Sequence, residues 1–131
     1  MARIEWNDNL SVGIESIDKQ HIKLINLINN LYDAMSEGKG SQIIELILKE
    51  MIDYTDYHFN YEEKLFDKCN YQNTKEHILE HEKFKDQVSD FYVKFQSGNK
   101  YFSINLVNFL TDWLKNHIMI SDKKYAPYIN D

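Results

Sequence analysis

The sequence predicts an all-α domain, folded as an antiparallel four-helix bundle with up-down-up-down topology. Two observations favour this fold. Apolar residues recur at steps of three and four along four long segments, which is the period of an amphipathic helix. Short polar breaks separate the segments, and short connections favour antiparallel neighbours. The 131 residues are enough for one core, so we expect residues 1–131 to form a single domain.

The first 16 residues lack a helical period and are predicted to form an irregular arm (1–16), with Trp6 as its anchor on the bundle. The first helix is predicted at about 17–37, where Ser16 or Asp18 could cap its start. Its stripe consists of Ile17, His21, Leu24, Ile28, Leu31 and Met35. A break with two glycines follows, and glycine is the residue that helix C-termini favour.

The second and third helices are predicted at about 41–66 and 73–96, joined by a turn at 69–71. Ser41 is the expected N-cap of the second helix. The second stripe consists of Ile44, Leu48, Met51, Thr55, His58, Glu62 and Leu65. The third consists of His77, His81, Phe84, Val88, Phe91 and Phe95.

The fourth helix is predicted at about 100–118, after a break at 97–99. Its stripe consists of Phe102, Leu106, Leu110, Trp113 and His117. Pro127 cannot donate a backbone hydrogen bond, so we expect it to end regular structure in a short C-terminal tail.

Composition and charge exclude several function classes. The formal net charge of −6 argues against nucleic-acid binding. No apolar run approaches the roughly 20 residues of a membrane span, and the N-terminus shows no secretory signal. Cys69 is the only cysteine, which excludes an internal disulfide and favours a reducing, cytoplasmic location. The single arginine, Arg3, counts against a site that grips phosphate.

All five histidines fall on the apolar stripes: His21, His58, His77, His81 and His117. In an antiparallel bundle their positions along the helices place them at one end of the molecule, together with Glu62. His58 and Glu62 are four residues apart and share a helix face, as do His77 and His81. Burying these rings without partners would cost about 1–3 kcal/mol each. Metal coordination removes that cost, so the histidine layer predicts a metal site.

Five imidazoles are too many for one tetrahedral zinc ion with an open position, but they suit two metal ions bridged by carboxylates. Glu62 is one candidate bridge. Asp122 is the second, but it follows His117 by five residues, which is about 140° around a regular helix. A shared site therefore requires the helix to end or unwind just after His117. Otherwise Asp122 is a solvated acid.

The complete pattern resembles the ligand set of hemerythrins, specifically of single-domain bacteriohemerythrins. The matching motifs are His21, His58-x-x-x-Glu62, His77-x-x-x-His81 and His117-x-x-x-x-Asp122. Four further segments are also similar to that family: Trp6, residues 12–21, Trp113-Leu114 and residues 122–125. The resemblance covers nearly the whole chain, and no ligand position departs from the pattern.

The resemblance implies a non-haem di-iron centre, with two iron ions (Fe2+/Fe3+) joined by an oxo or hydroxo bridge. It assigns His77, His81 and His117 to one iron, which is coordinatively saturated. It assigns His21 and His58 to the other iron, which keeps an open position. Glu62 and Asp122 would bridge the two. The implied activity is reversible O2 binding for carriage, storage or scavenging. O2 would be held as a hydroperoxide at the open iron.

The ligand set is poorer in carboxylates than that of ferritin-like di-iron proteins, which use paired Glu-x-x-His motifs. No glutamate stands three residues before any histidine. Fewer anionic ligands should stabilise high-valent iron less. We therefore expect O2 to be held rather than cleaved, and we expect the protein not to be an enzyme.

Five residues match positions that line the O2 pocket in the family: Leu24, Phe59, Trp113, Leu114 and Ile118. An ordinary bundle core would use the same residues. Tyr125 and Asp18 lie near ligands and are predicted to support the orientation of the histidines. Glu80, by contrast, is expected to be solvated.

Two other function classes stay open. An O2- or redox-sensing module would act by docking a partner protein. A di-iron oxidoreductase that handles peroxide or nitric oxide is the further alternative, whereas a hydrolase would need a substrate clamp and a free general base. The expected partners are O2 and an unidentified recipient or signalling protein, with no nucleic acid and no membrane span.

Overall fold

The computed structural model describes residues 4–97 and 102–129, and most of these lie in four long helices. The helices are α1 (Glu15–Ser36), α2 (Ser41–Cys69), α3 (Thr74–Gln96) and α4 (Phe102–Asn116). Helices α1 and α3 each pack against both α2 and α4, so the four helices form a closed ring in chain order. The predicted all-α four-helix bundle is confirmed.

The first two connections end their helices with a left-handed residue. Gly38 has φ +70°, and the amide of Lys39 donates to the carbonyl of Ala34 (2.9 Å). Asn70 has φ 53°, a conformation that asparagine tolerates better than most residues. The hydrogen bond from Lys39 satisfies a carbonyl that the end of α1 would otherwise leave without a partner. The structure has a turn at each of the two predicted breaks, and α2 continues to Cys69, three residues beyond the predicted end.

None of the three predicted cap residues occupies the N-cap position of its helix. Helix α1 begins at Glu15, after Ile14 in extended conformation, so Ser16 and Asp18 lie inside the first turn. Helix α2 begins at Ser41 itself, and Gly40 precedes it in the N-cap position. The predicted start of the fourth helix at about 100, and most of the break before it, lie outside the described residues.

The N-terminal arm is held by aliphatic side chains more than by Trp6. Trp6 is half-buried on the core, whereas four other arm residues are buried: Ile4, Leu10, Val12 and Ile14. The backbone of Ile4 also pairs with the side-chain amide of Asn29 on α1 (2.9 and 2.8 Å). The arm therefore closes one side of the bundle.

The chain continues beyond α4 without leaving helical conformation. A six-residue π-helical turn, His117–Asp122 (the π-turn), follows directly. A short α-helical turn, Lys123–Tyr125, and a 3-10 turn, Ala126–Tyr128, complete the tail. Pro127 lies within that last turn, where its missing amide hydrogen is tolerated. The prediction that Pro127 ends regular structure is therefore wrong by one residue.

Polar side chains in the interior concentrate at one end of the bundle. All seven predicted metal ligands are buried there, none with more than 4% of its surface exposed. Among the helices in the described part of the chain, none is sufficiently long and apolar to cross a membrane.

Candidate metal centre

The five histidines lie in one layer and divide into two groups. His77, His81 and His117 form the first, with ring centroids 4.6, 4.6 and 5.1 Å apart. His21 and His58 form the second, with centroids 4.8 Å apart. The antiparallel arrangement of four helices thus brings together rings that are up to 96 residues apart in the chain.

Asp122 lies between the two groups, and its two oxygens face different ones. Oδ1 is 3.1 Å from Nε2 of His77 and 3.1 Å from Nε2 of His117. Oδ2 is 3.0 Å from Nε2 of His21. The carboxylate is fully buried, so the alternative of a solvated acid is wrong.

Glu62 also faces both groups, but with a single oxygen. Its Oε1 lies 3.2 Å from Nε2 of His81 and 3.4 Å from Nε2 of His58. Its other oxygen, Oε2, accepts a hydrogen bond from the hydroxyl of Tyr125. Tyr125 is fully buried; its hydroxyl holds the carboxylate of Glu62, and its ring packs edge-on against that of His77, with centroids 5.5 Å apart.

The π-turn explains how His117 and Asp122 share a site. In a π-helix the amide of each residue bonds to the carbonyl five residues earlier, and the amide of Lys123 indeed bonds to the carbonyl of Ile118. The wider turn brings residues five apart to the same side. The sequence prediction required the helix to end or unwind just after His117. The helix does neither, because it keeps its hydrogen bonds and widens locally.

Three histidines are oriented by polar side chains through the nitrogen that faces away from the centre. Nδ1 of His58 lies 2.6 Å from the side-chain oxygen of Gln20. Nδ1 of His81 lies 3.0 Å from a carboxylate oxygen of Glu63, and Nδ1 of His117 lies 2.9 Å from a carboxylate oxygen of Glu80. Because each partner oxygen accepts, Nδ1 carries the hydrogen and Nε2 presents its lone pair to the layer.

These three supports follow one rule. Gln20 precedes His21, Glu63 follows Glu62 and Glu80 precedes His81, so each stands beside a predicted ligand in the chain. Successive side chains of a helix point about 100° apart, so each support turns away from its own neighbour. Each one reaches a histidine on the next segment of the bundle instead.

The sequence interpretation missed Gln20 and Glu63 and was wrong about Glu80. Besides His117, Glu80 accepts a hydrogen bond from the hydroxyl of Ser121 (2.6 Å). The usable signal was a polar residue directly beside a ligand on an otherwise apolar stripe.

Asp18 has a role different from the predicted one. Its carboxylate accepts hydrogen bonds from the Ser11 hydroxyl (2.5 Å) and from the amide of Val12 (2.9 Å). Asp18 therefore fastens the N-terminal arm to α1, and the predicted role in orienting a histidine is wrong.

The carboxylates of the layer stay negatively charged. Burial and the neighbouring charge of Asp122 would raise the pKa of Glu62, but its contacts with His58, His77 and His81 bring that pKa below its usual range. Burial lowers the pKa of His58 to about 4, so this imidazole is neutral at pH 7 and free to donate its lone pair.

Asp122 and His117 shift each other in opposite directions. Burial would raise the pKa of Asp122, but His117 outweighs it and lowers the pKa. Burial would lower the pKa of His117, yet Asp122 and Glu80 raise it to about 10. Without metal, His117 therefore keeps a second proton at pH 7, which a metal ion bound at Nε2 would replace, and the anionic oxygens of the layer attract either cation.

The residues present fit a pair of metal ions. Within residues 4–97 and 102–129, seven buried side-chain N or O atoms lack a hydrogen-bond partner, and six belong to His21, Glu62, His77 and Asp122. The ligand atoms form two sets in which all members lie within 4.8 Å of one another: Glu62, His77, His81 and His117; His21, His58, Glu62 and Asp122. Imidazole and carboxylate together suit divalent transition metals such as iron.

A small apolar cavity of ≈10 Å³ lies one helical turn from the histidine layer. Four of the five residues predicted for the pocket line it: Leu24, Phe59, Trp113 and Leu114. Ile118, the fifth, is fully buried on the π-turn beside His117, and its place in an O2 pocket stays a prediction. The hydroxyl of Thr55, another wall residue, donates to the carbonyl of Met51 (2.7 Å).

Two of these wall residues also cover ligand rings. Phe59 stacks on His81 with ring centroids 3.7 Å apart and 3° between the planes. Trp113 stacks on His117 at 4.2 Å and 13°. Apolar surface therefore lines the cavity and covers one face of each of these two rings.

Comparison with known proteins agrees with this geometry. The hemerythrin HHE cation binding domain family matches residues 12–129. A bacteriohemerythrin of Pseudomonas aeruginosa (strain LESB58) is 39% identical over 126 residues, covering 96% of this chain and 81% of the relative. A bacteriohemerythrin of Methylococcus capsulatus (strain Bath) is 31% identical, covering 99% of both chains. A crystal structure of the L114A mutant of a hemerythrin superposes with a TM-score of 0.93 at 30% identity and covers 100% of both chains. The chain therefore belongs to the hemerythrin family.

Proposed function

We propose that this protein binds O2 reversibly at a di-iron centre and serves in O2 carriage, storage or scavenging. The observation that carries the proposal is the pair of overlapping ligand sets, which share Glu62 and are also joined by Asp122. The names of the relatives, bacteriohemerythrins, point the same way.

The ligand sets support an uneven division between the two iron ions. His77, His81 and His117 would hold one ion with three imidazoles, whereas His21 and His58 would hold the other with two. Glu62 and Asp122 would bridge them, and the second ion would keep a position for O2. Iron held by these residues as Fe(II) would supply the electrons for reversible reduction of O2.

The rest of the chain would keep that exchange reversible. Gln20, Glu63 and Glu80 hold three imidazoles in the orientation that metal binding needs. Tyr125 holds Glu62 by a hydrogen bond to the oxygen that faces away from the histidines. The apolar walls exclude water, which would otherwise deliver protons to reduced O2.

An O2 titration tests the proposal. The iron-loaded protein is reduced under anaerobic conditions and titrated with O2 while visible absorption is followed. We expect a charge-transfer band that appears with O2 and disappears under vacuum. His21→Ala should lose the band, whereas Gln42→Ala, at an exposed position of α2, should keep it. An irreversible change in the unmodified protein would exclude reversible binding.

We also propose that the centre is not that of an enzyme, and that the protein works in the cytoplasm. The cavity beside the ligands has almost entirely apolar walls, and the hydroxyl of Thr55 is already engaged, so no free acid or base faces it. Cys69, the only cysteine, is compatible with a reducing compartment. Many turnovers of peroxide or nitric oxide per iron would contradict the first part.

A sensing role is the second candidate, because apolar side chains are exposed next to the ligands. Met119 and Ile120 are 45% and 58% exposed, and both lie on the π-turn between His117 and Asp122. A partner docked there would respond to changes at these ligands. Purification of native complexes with and without O2 separates the roles. A partner retained in only one state supports sensing, and a chain found alone in both supports carriage.

A further inference from the structure

Three tyrosines form a continuous row from the histidine layer to the protein surface. Tyr125 is fully buried and donates its hydroxyl hydrogen bond to Glu62. Tyr71 is 5% exposed, and its ring centroid lies 6.1 Å from that of Tyr125. Tyr128 is 52% exposed and lies 5.5 Å from Tyr71. We call Tyr125, Tyr71 and Tyr128 the tyrosine row.

Two separate parts of the chain build the row. Tyr71 follows the left-handed residue that ends α2, whereas Tyr125 and Tyr128 lie three residues apart on consecutive turns of the tail. Phe66 packs on both Tyr71 (5.3 Å) and Tyr125 (5.0 Å) and fills the space between them. The row therefore depends on the tail that the π-turn positions.

Packing alone would not require hydroxyl groups along this row, since phenylalanine would fill nearly the same volume. A phenol adds the ability to lose one electron, and it does so readily only where its proton has an acceptor. Tyr125 has the carboxylate of Glu62. Tyr71 lines a polar surface cleft of ≈220 Å³ that contains Asn73 and Glu76, and Tyr128 faces solvent.

We propose that the tyrosine row carries oxidising equivalents from the metal centre to exposed Tyr128 when hydrogen peroxide reacts at the centre. This would spare the buried ligands from oxidation. The inference goes beyond O2 binding but rests on the metal centre of the proposed function.

The electron balance is as follows. Hydrogen peroxide needs two electrons and two protons to become two water molecules; both protons come from solvent, to which Tyr128 finally returns one. Where the metal centre supplies one electron, Tyr125 supplies the second, and its phenolic proton moves to Oε2 of Glu62. The neutral Tyr125 radical then takes an electron from Tyr71 and recovers its proton from Glu62, while Tyr71 loses its own proton to the cleft.

The last step lies at the surface. The Tyr71 radical takes an electron from Tyr128 and a proton from the cleft, and Tyr128 releases its proton to solvent. A thiol reductant would return Tyr128 to the phenol by giving a hydrogen atom. Without a thiol, two Tyr128 radicals of different molecules would join through a new carbon–carbon bond and form dityrosine.

Two other aromatic residues serve as competitor and control. Trp113 is half-buried and stacks on His117 at 4.2 Å, so it offers a different way out. Tyr57 is 55% exposed, nearly the same as Tyr128, and its ring neighbours on α2 are Tyr54 and Tyr61. Tyr57→Phe is therefore the matched control for Tyr128→Phe.

The test uses the full chain loaded with iron, treated with hydrogen peroxide in the absence of thiols. Radicals are observed by freeze-quench electron paramagnetic resonance, dityrosine by fluorescence, and oxidised residues by peptide mapping. We expect a tyrosyl signal and dityrosine at Tyr128. Tyr128→Phe should lose the dityrosine and accumulate oxidised ligand histidines, whereas Tyr57→Phe should match the unmodified protein. Tyr71→Phe should give the same losses as Tyr128→Phe, with Tyr128 itself still present.

Two outcomes would overturn the inference: dityrosine that survives Tyr128→Phe, or first oxidation at Trp113. Iron content and the O2 band are measured on the same samples. A protein without iron would contradict the proposed function and leave the row without a source of oxidant. A protein with iron and reversible O2 binding, but without a tyrosyl radical, would contradict only the role of the row.

Discussion

Nε2 of His117 lies 3.1 Å from Oδ1 of Asp122, although a regular helix would place these residues about 140° apart. The π-turn makes this contact possible and places Asp122 so that its two oxygens face different histidine groups. Asp122 therefore links the two histidine groups of the centre.

Asp122→Asn should reduce the bound iron from the proposed two ions per chain toward one or none. The substitution keeps the size of the side chain but removes its charge and one of its two acceptor oxygens, so one histidine group loses its bridge. Iron content after gel filtration measures the effect. Asp112→Asn, at an exposed position of α4, is the control and should retain the unmodified iron content. Full iron loading of Asp122→Asn would rule out the bridging role.

Glu80→Ala should weaken metal affinity by about 10–100-fold, the usual effect of losing a partner that orients a metal ligand. Glu80 accepts from Nδ1 of His117, and without it the imidazole is free to rotate or to change tautomer. Competition with a chromogenic chelator measures the affinity. Glu80→Gln keeps an acceptor oxygen and should recover part of the loss, and Glu82→Ala, exposed on the same helix, should have little effect. Equal affinity of Glu80→Ala and the unmodified protein would show that the hydrogen bond does not matter.

The main features of the fold follow from the sequence because side-chain period and connection length carry most of the information. The four stripes and the breaks at Gly38 and Asn70 are local signals. The level at which His21, His58 and His77 meet then follows from antiparallel topology alone. Each of these features depends on residues that are close in sequence, or on a rule that holds for every short connection.

Features that depend on the rotation of one helix against another did not follow. Gln20 and Glu63 each support a histidine of a different helix, and no spacing within one helix encodes that contact. The π-turn adds one residue to a helical turn. The spacing of apolar residues along the sequence does not reveal a change of one residue. Asp18 is close to His21 in sequence, but its hydrogen bonds go to the N-terminal arm, which closeness in sequence does not reveal.

Leu114→Ala should speed autoxidation of the O2-bound protein. Leu114 is 6% exposed and lines the small cavity beside the histidine layer. Truncation enlarges a cavity that is now about the size of one water molecule, so water gains a place near bound O2. Decay of the visible band over time measures the rate.

The change should also cost about 2–5 kcal/mol of stability, the usual range for a buried leucine, so the rate must be measured well below the unfolding temperature. Leu46→Ala, at a position 68% exposed, is the control, and an unchanged rate in Leu114→Ala would remove this residue from the water barrier.

Removal of iron should lower the stability of the bundle more than any surface substitution. Without metal, Glu62 and Asp122 remain as buried anions, and six buried polar atoms of the ligand residues lack hydrogen-bond partners, each of which costs free energy in the folded state. Metal that binds only the folded chain adds about 2.7 kcal/mol per site when its free concentration is 100 times the dissociation constant. Urea unfolding with and without chelator, followed by helical circular dichroism, measures the difference.

The comparison is repeated with Asp122→Asn, which has fewer charges to leave uncompensated. Its metal-free form should lose less stability relative to its iron-loaded form than the unmodified protein does, because the buried negative charge is smaller and less metal is bound. A midpoint that does not move when iron is removed would mean that the folded layer tolerates its own charges, and that the histidines and carboxylates are satisfied in a way that these contacts do not explain.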